Sequence, residues 1–135
     1  MSVGLVIVSH SAKLAEGVAE LARQMAQHRV RILPAGGTLD GSLGTSIEKV
    51  QAAIGAADTG EGVLLLVDLG SAALVAELAI EQLPPERRQR ARLSPAPLVE
   101  GAVVAAVEAS VGSALEAVAE TAAGALRMVK IPDRR

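Results

Sequence analysis

The chain has 135 residues, half of them hydrophobic, with no Phe, Tyr, Trp or cysteine and a formal net charge of −2. That length suits one domain with a real core, which alanine, valine and leucine must build. The composition argues against aromatic stacking platforms or cages, disulfides, thiolate zinc sites and cysteine nucleophiles, and against a basic nucleic-acid footprint.

The first apolar run, Val3 to Val8, predicts a strand, followed by Ser9-His10-Ser11. Leu14, Val18, Leu21 and Met25 then recur at helical spacing and predict one face of a helix. His28 falls in the polar Gln27-His28-Arg29 stretch at that helix's end, where a favourable interaction with the helix dipole accounts for it. A second strand is predicted over Val30 to Leu33, then a glycine-rich loop from Pro34 to Gly44. The next helix is expected to bury Ile47, Val50 and Ile54, with Thr45 and Glu48 as its capping box.

The third strand, Val63 to Val67, runs into Asp68-Leu69-Gly70-Ser71 and a helix carrying Leu74, Leu78 and Ala79. Pro84-Pro85 ends that helix, and Ala91 to Leu93 is a weaker fourth strand. Between them Arg87, Arg88, Arg90 and Arg92 read either as a solvated turn or as a surface for an acidic partner. Two alanine-rich helices follow, one near Val99 to Ser110 and one from Ser113 to about Ala123, the latter with a Ser113/Glu116 capping box. Every apolar run is too short to cross a membrane. Met1 to Val8 carries no basic leader, so a cytoplasmic protein is expected.

Continuous Val/Leu/Ile strands alternating with helices predict an α/β fold. The expected architecture is a single domain over 1–135, core about 3–123, with a doubly wound, mainly parallel sheet of order 2-1-3-4 and helices on both faces. Ligands of such sheets bind at the carboxyl ends of the strands where the order reverses, here between strands 1 and 3. His10 and Asp68 are therefore expected to meet in one crevice.

His10 reads either as a polar loop residue or as a nucleophile, base or ligand, one ring nitrogen free while the other is held. Asp68 reads either as a cap for the third helix or as the group that accepts a hydrogen bond from His10 and fixes its tautomer. Gly70 and Ser71 open a helix whose amides suit an anion. Gly37 and Thr38 lie in a loop on the same sheet edge. There is no Walker A loop or dinucleotide fingerprint, and two histidines are too few for an all-histidine metal cluster. An imidazole ringed by donors, without metal ligands, suits a phosphohistidine better than hydrolysis.

Four motifs, in order, carry a resemblance over Val3 to about Ala123. They are Val6-Ile7-Val8-Ser9-His10-Ser11, Gly36-Gly37-Thr38 with Gly44-Thr45-Ser46, Asp68-Leu69-Gly70-Ser71-Ala72, and Pro97-Leu98-Val99-Glu100-Gly101-Ala102. Together they resemble the DhaM family, the phosphotransferase subunits of phosphoenolpyruvate-dependent dihydroxyacetone kinases, whose domain is similar to the IIA domains of mannose-type sugar transporters. The resemblance implies that His10 is phosphorylated by the carrier HPr, with Asp68 as its hydrogen-bonding acid. It implies that the phosphoryl group passes to ADP on the kinase's nucleotide-binding subunit. That partner would carry ADP/ATP and Mg, leaving no cofactor or metal on this chain. Gly70, Ser71, Gly37 and Thr38 would hold the phosphoryl group, and a homodimer would use the apolar face of the alanine-rich C-terminal helices. Nucleic acid and membrane are not expected as partners. Val75 departs from the polar residue common in the family, which puts its docking surface in question. The alternatives are a IIA subunit serving a sugar transporter, a regulatory module whose phosphorylation a transcription factor senses, and an unrelated small-ligand domain.

Overall fold

A computed structural model describes residues 1–133. Its strands are β1 (Gly4–Ser9), β2 (Ile32–Gly36), β3 (Val63–Val67) and β4 (Ala91–Leu93). They form one parallel sheet in the order β2-β1-β3-β4. The helices are α1 (Ala12–Met25), α2 (Ile47–Ala57), α3 (Gly70–Glu81), the short α4 (Pro85–Arg88), α5 (Leu98–Ser110) and α6 (Leu115–Gly124), followed by a 3₁₀ turn over Ala125–Arg127.

β1 up to Val8 and the whole of β3 are apolar because both sheet faces are covered. Leu5, Ile7, Leu64 and Leu66 pack under α1, α5 and α6, while Val6, Val8, Val63 and Leu65 pack under α2 and α3. Each of these side chains is at most 1% exposed, and each contributes about 1.5–3 kcal/mol relative to exposure. The expected fold class and strand order hold, with helices on both faces.

The helix faces differ from expectation. α1 buries Ala15, Val18, Ala19 and Ala22 and leaves Leu14, Leu21 and Met25 substantially exposed. α3 buries Ala72, Ala76 and Ala79 and turns Leu74 and Leu78 outward. Small residues let the helix axes approach the sheet closely; leucines at those positions would overfill the layer. The alanines of α5, such as Ala102, Ala105 and Ala109, likewise face the core, so that face of the C-terminal helices is already covered.

Two caps also shift. α2 is capped by Ser46, which accepts the Lys49 N–H at 3.2 Å, not by Thr45, and Ile47 is only half-buried. α6 has Ala114 at its N-cap, and the Ser113 hydroxyl instead donates to Glu108. In the arginine stretch Arg87 and Arg88 fall in α4, Arg90 follows it and Arg92 lies in β4, and two of the four are tied to the fold. Arg88 donates to the Glu81 carbonyl at 3.2 Å, and Arg90 holds the mostly buried Asp58 carboxylate at 3.0 Å.

β2 extends further than predicted, through Pro34 to Gly36. A proline is tolerated because β2 is an edge and its missing N–H lies on the outer side. Two outward carbonyls of that edge are occupied by side chains. Arg23 grips the Ile32 carbonyl with Nε at 3.1 Å and Nη2 at 2.6 Å, and Lys49 donates to the Gly36 carbonyl at 2.9 Å. The edge is thus blunted against pairing with another chain. No helix among the described residues is long and apolar enough to cross a membrane.

Candidate active site

The parallel register sets the site. Val8 pairs with Val67, and the Asp68 N–H continues the ladder by donating to the Val8 carbonyl at 3.2 Å. The next residue of each chain end leaves the sheet at the same edge, so His10 and Asp68 meet at the switch point as expected. His10 Nδ1 lies 3.0 Å from Asp68 Oδ1. The His10 side chain keeps 28% of its surface exposed, the Asp68 side chain 12%.

Asp68 receives four donors. The Ser9 hydroxyl and the His10 N–H reach Oδ2, each at 2.9 Å, and the Leu69 N–H reaches Oδ1 at 2.7 Å beside the imidazole. Burial pushes the Asp68 pKa up, but the donors outweigh it, His10 N–H first, then the Ser9 hydroxyl, the His10 ring and the Leu69 N–H. The net effect holds the carboxyl below its ordinary value. An ionised Asp68 can only accept, so the neutral ring carries its proton on Nδ1 and leaves an Nε2 lone pair toward solvent. Ser71 Oγ sits 2.8 Å from Nε2 and, facing a lone pair, donates to it.

Gly70 and Ser71 do open a helix, α3. Its N-cap, Leu69, makes no side-chain hydrogen bond, so the Gly70 and Ser71 amides at the start of the helix have no side-chain cap. Gly37 and Thr38 are near the site but differ from expectation. The Gly37 N–H donates to the Ser9 carbonyl at 3.2 Å and the Thr38 N–H to the Ser42 carbonyl at 2.9 Å. Those amides are spent within the fold rather than offered to a ligand. Their loop is knotted by Asp40, which accepts from Thr38 Oγ1 at 2.6 Å, from the Ser42 N–H at 3.0 Å and from the Ser42 hydroxyl. Those bonds, the Ser42 hydroxyl first, lower the Asp40 pKa to about 2. The loop closes on the site through the Gly44 N–H, 2.8 Å from the His10 carbonyl.

Two features escaped the sequence. The Ser9 hydroxyl, known only as part of a motif, is a direct partner of Asp68. Ser71 meets the ring through its hydroxyl, where an amide was expected. A polar residue closing an otherwise apolar buried strand was the available signal for Ser9. His28 lies at the C-terminus of α1, its N–H donating to the Arg23 carbonyl at 2.9 Å, away from this crevice. Val75 lines an open groove of about 730 Å³ with Thr38, Leu39 and Leu43. Among the described residues no cluster of three His, Cys, Asp or Glu could hold a metal ion.

The motif's Gly101 has a packing reason, since a Cβ there would come 2.5 Å from the Ala96 Cβ. Ala96 itself lines a cleft of about 350 Å³ that also touches Asp68 and Gly70.

The doubly wound parallel sheet thus carries an acid-held histidine at its switch point. The EIIA-man family model, described as the PTS system fructose IIA component, matches residues 4–119, and the chain belongs to that family. A phosphoryl donor subunit DhaM of the PEP-dependent dihydroxyacetone kinase from Klebsiella michiganensis is 42% identical over 96% of this chain, which spans 28% of that protein's length. The chain spans about a quarter of the length of the first curated relatives it matches. The subunit DhaM of PEP-dependent dihydroxyacetone kinase 2 from Listeria innocua is 40% identical, with 86% of this chain and 93% of that one covered. Among solved structures, a protein of unknown function, EF1359, superposes with a TM-score of 0.80 at 36% identity, covering 92% of this chain and 95% of that one.

Proposed function

We propose that the chain is a phosphocarrier domain spanning 1–135, core 3–123, that accepts a phosphoryl group on His10 and donates it to ADP held by the nucleotide-binding subunit of a dihydroxyacetone kinase. The observation that carries this reading is the His10 Nδ1–Asp68 Oδ1 bond at 3.0 Å, which leaves Nε2 unprotonated beside the Ser71 hydroxyl as the nucleophile. The names of the relatives, DhaM from Klebsiella and Listeria, support the acceptor. HPr is the donor in this reading. The protein works in the cytoplasm and carries no cofactor of its own.

The transfer is in-line and conserves atoms. The P–N bond of the donor's phosphohistidine breaks as a P–N bond forms at His10 Nε2. The Nδ1 proton stays on the ring, shared with Asp68. Transfer onward breaks that P–N bond and forms a P–O bond to the β-phosphate of ADP. Little covalent work falls to the protein, so positioning and electrostatics dominate. Ser71 swings its hydroxyl from the Nε2 lone pair to a phosphoryl oxygen, and the uncapped Gly70 and Ser71 amides at the start of α3 face the equatorial charge. The Gly37–Thr38 loop contributes by shaping the rim and fixing the His10 carbonyl.

A homodimer belongs to the same reading. With the alanine faces covered, its surface is sought in the exposed apolar side chains of α1, Leu14, Leu21 and Met25. A monomer in sedimentation at working concentration would remove it.

Labelled phosphoenolpyruvate with enzyme I and HPr tests the carrier role: label is expected on the wild type, and label retained on His10→Ala sinks the assignment. Offering the labelled protein ADP with the kinase subunits, or a IIB protein of a mannose-type transporter, separates the acceptors. Transfer to IIB alone replaces the kinase with a sugar-transporter role, to which the family's description as a IIA component lends weight. Transfer to neither leaves a regulatory module.

A further inference from the structure

We infer that Ser9 is a positioning residue for phosphoryl transfer, acting on His10 through Asp68. The inference rests on the phosphocarrier reading above.

Ser9 ends β1 and is fully buried. A hydroxyl in that position costs free energy unless it is bonded, and the packing alone would be met by alanine. Its bonds have only one consistent direction. The Ser11 N–H can only donate, and it reaches Ser9 Oγ at 3.0 Å. The ionised Asp68 can only accept, and its Oδ2 lies 2.9 Å from the same oxygen. The Ser9 proton therefore points at the carboxylate, with the Ser11 amide behind it polarising the hydroxyl and strengthening its donation.

This matters because of where the carboxylate is pinned. Oδ1 is the atom that holds His10 Nδ1, and it is fixed from its own side by the Leu69 N–H. Oδ2 is fixed by the His10 N–H and by Ser9. Of these donors Ser9 is the one side chain outside the His10–Asp68 pair. Without it, Oδ2 keeps a single tether, the carboxylate plane turns more freely about χ2, and Oδ1 swings off the Nδ1–H direction. The tautomer that exposes Nε2 is then enforced less strictly. The Ser11 amide at the start of α1 loses its acceptor at the same time.

The test is Ser9→Ala in the full chain, with phosphorylated HPr as donor in one arm and phosphoramidate as a small donor in the other. The expected result is a roughly tenfold fall in kcat in both arms, with KM for HPr within about twofold of wild type. Nitrogen-15 NMR of the imidazole is expected to give the Nδ1–H tautomer in the wild type and a mixture in the variant. In an Asp68→Ala background, Ser9→Ala is expected to cost nothing further. Wild-type kcat with an unchanged tautomer overturns the inference, as does a Ser9→Ala loss that multiplies with that of Asp68→Ala. If Ser9→Ala melts below the assay temperature, Ser9→Cys preserves bulk with a weak donor, and a wild-type rate there overturns it equally. A wild type that takes no phosphoryl on His10 refutes the phosphocarrier reading instead, and the tautomer measurement still decides the role of Ser9.

Discussion

Replacing Asp68 with asparagine keeps the shape of the side chain and removes its charge, so the structure allows the consequence to be worked out atom by atom. Four donors converge on the carboxylate: His10 N–H and Ser9 hydroxyl on Oδ2, Leu69 N–H and His10 Nδ1 on Oδ1. An amide has a single acceptor oxygen, so on either flip its NH₂ faces a backbone N–H that cannot turn away. With NH₂ in the Oδ2 place, the oxygen still holds Nδ1–H but without the charge assistance. With NH₂ in the Oδ1 place, it donates to Nδ1 and drives the proton to Nε2, which blocks the nucleophile. A hydrogen bond to a charged group is worth about 1.5–3 kcal/mol. At about 1.36 kcal/mol per tenfold, the phosphoryl transfer proposed for His10 is expected to slow by roughly 10- to 150-fold. Single-turnover label transfer from phosphorylated HPr measures it, with a melting curve to verify that the variant is folded. A folded Asp68→Asn protein that transfers within about threefold of wild type would refute the orienting role.

Ser71→Ala removes the hydroxyl that faces Nε2 but leaves the helix amides; single-turnover transfer is expected to slow by roughly threefold to tenfold, and an unchanged rate would leave the amides as the whole of the phosphoryl cradle. Gly36→Ala places a Cβ 2.4 Å from the Ser11 carbonyl and 2.8 Å from the Ala15 Cβ, so overpacking is expected to cost about 1–3 kcal/mol in chemical denaturation. Asp68 has a lowered pKa in the folded protein, so its stabilisation is complete above the unfolded value of about 3.9 and disappears as pH falls through the lower folded value. The stability difference between wild type and Asp68→Ala should therefore stay level from about pH 7 to 5 and collapse only below about pH 4; a difference already fading at pH 6 would contradict it. Arg23→Ala uncovers the Ile32 carbonyl on the outer edge of β2 and is expected to raise concentration-dependent light scattering on partial denaturation.

β1 and β3 were legible because burial on both faces leaves an apolar run, and β3 falls where its run falls, Val63–Val67; β4 also falls at Ala91–Leu93, although its Arg92 is exposed. Alternation with helices implies the parallel sheet, and the order 2-1-3-4 favoured for it holds. The helix faces were not legible. Periodicity singles out the largest apolar residues, and here Leu14, Leu21, Leu74 and Leu78 are the ones left outside while alanines pack inward. In a layer this thin, size works against burial, and hydropathy by itself does not register size. The end of β2 was missed because Pro34 and Gly36 read as a loop; only the knowledge that β2 is an edge makes them strand residues. Caps failed by one residue, at Ser46 in place of Thr45, since adjacent hydroxyls offer the same chemistry and only the backbone decides. Within the site, the His10–Asp68 pair was legible from topology, whereas the Ser9 and Ser71 hydroxyls depended on rotamers that no spacing encodes.

The pair itself is best understood as a product of register. Parallel pairing of β1 with β3 ends at Val8 and Val67, and the Asp68 N–H adds one more rung. Alternation then sends Ile7 and Leu66 to one face and Val8 and Leu65 to the other, both into cores that are fully formed. A slip of one residue would turn every one of these side chains to the opposite face and exchange the contents of two cores that differ in shape. The cost of that exchange falls on eight or so buried side chains at about 1 kcal/mol or more each, comparable with what the four hydrogen bonds to Asp68 supply. The aliphatic strands thus bring His10 and Asp68 to the same sheet edge, and the hydrogen bonds among Ser9, His10 and Asp68 set their mutual orientation. It follows that a core substitution such as Leu66→Ala should lower stability while leaving the transfer rate of the folded fraction nearly intact, because the remaining pairs still fix the register.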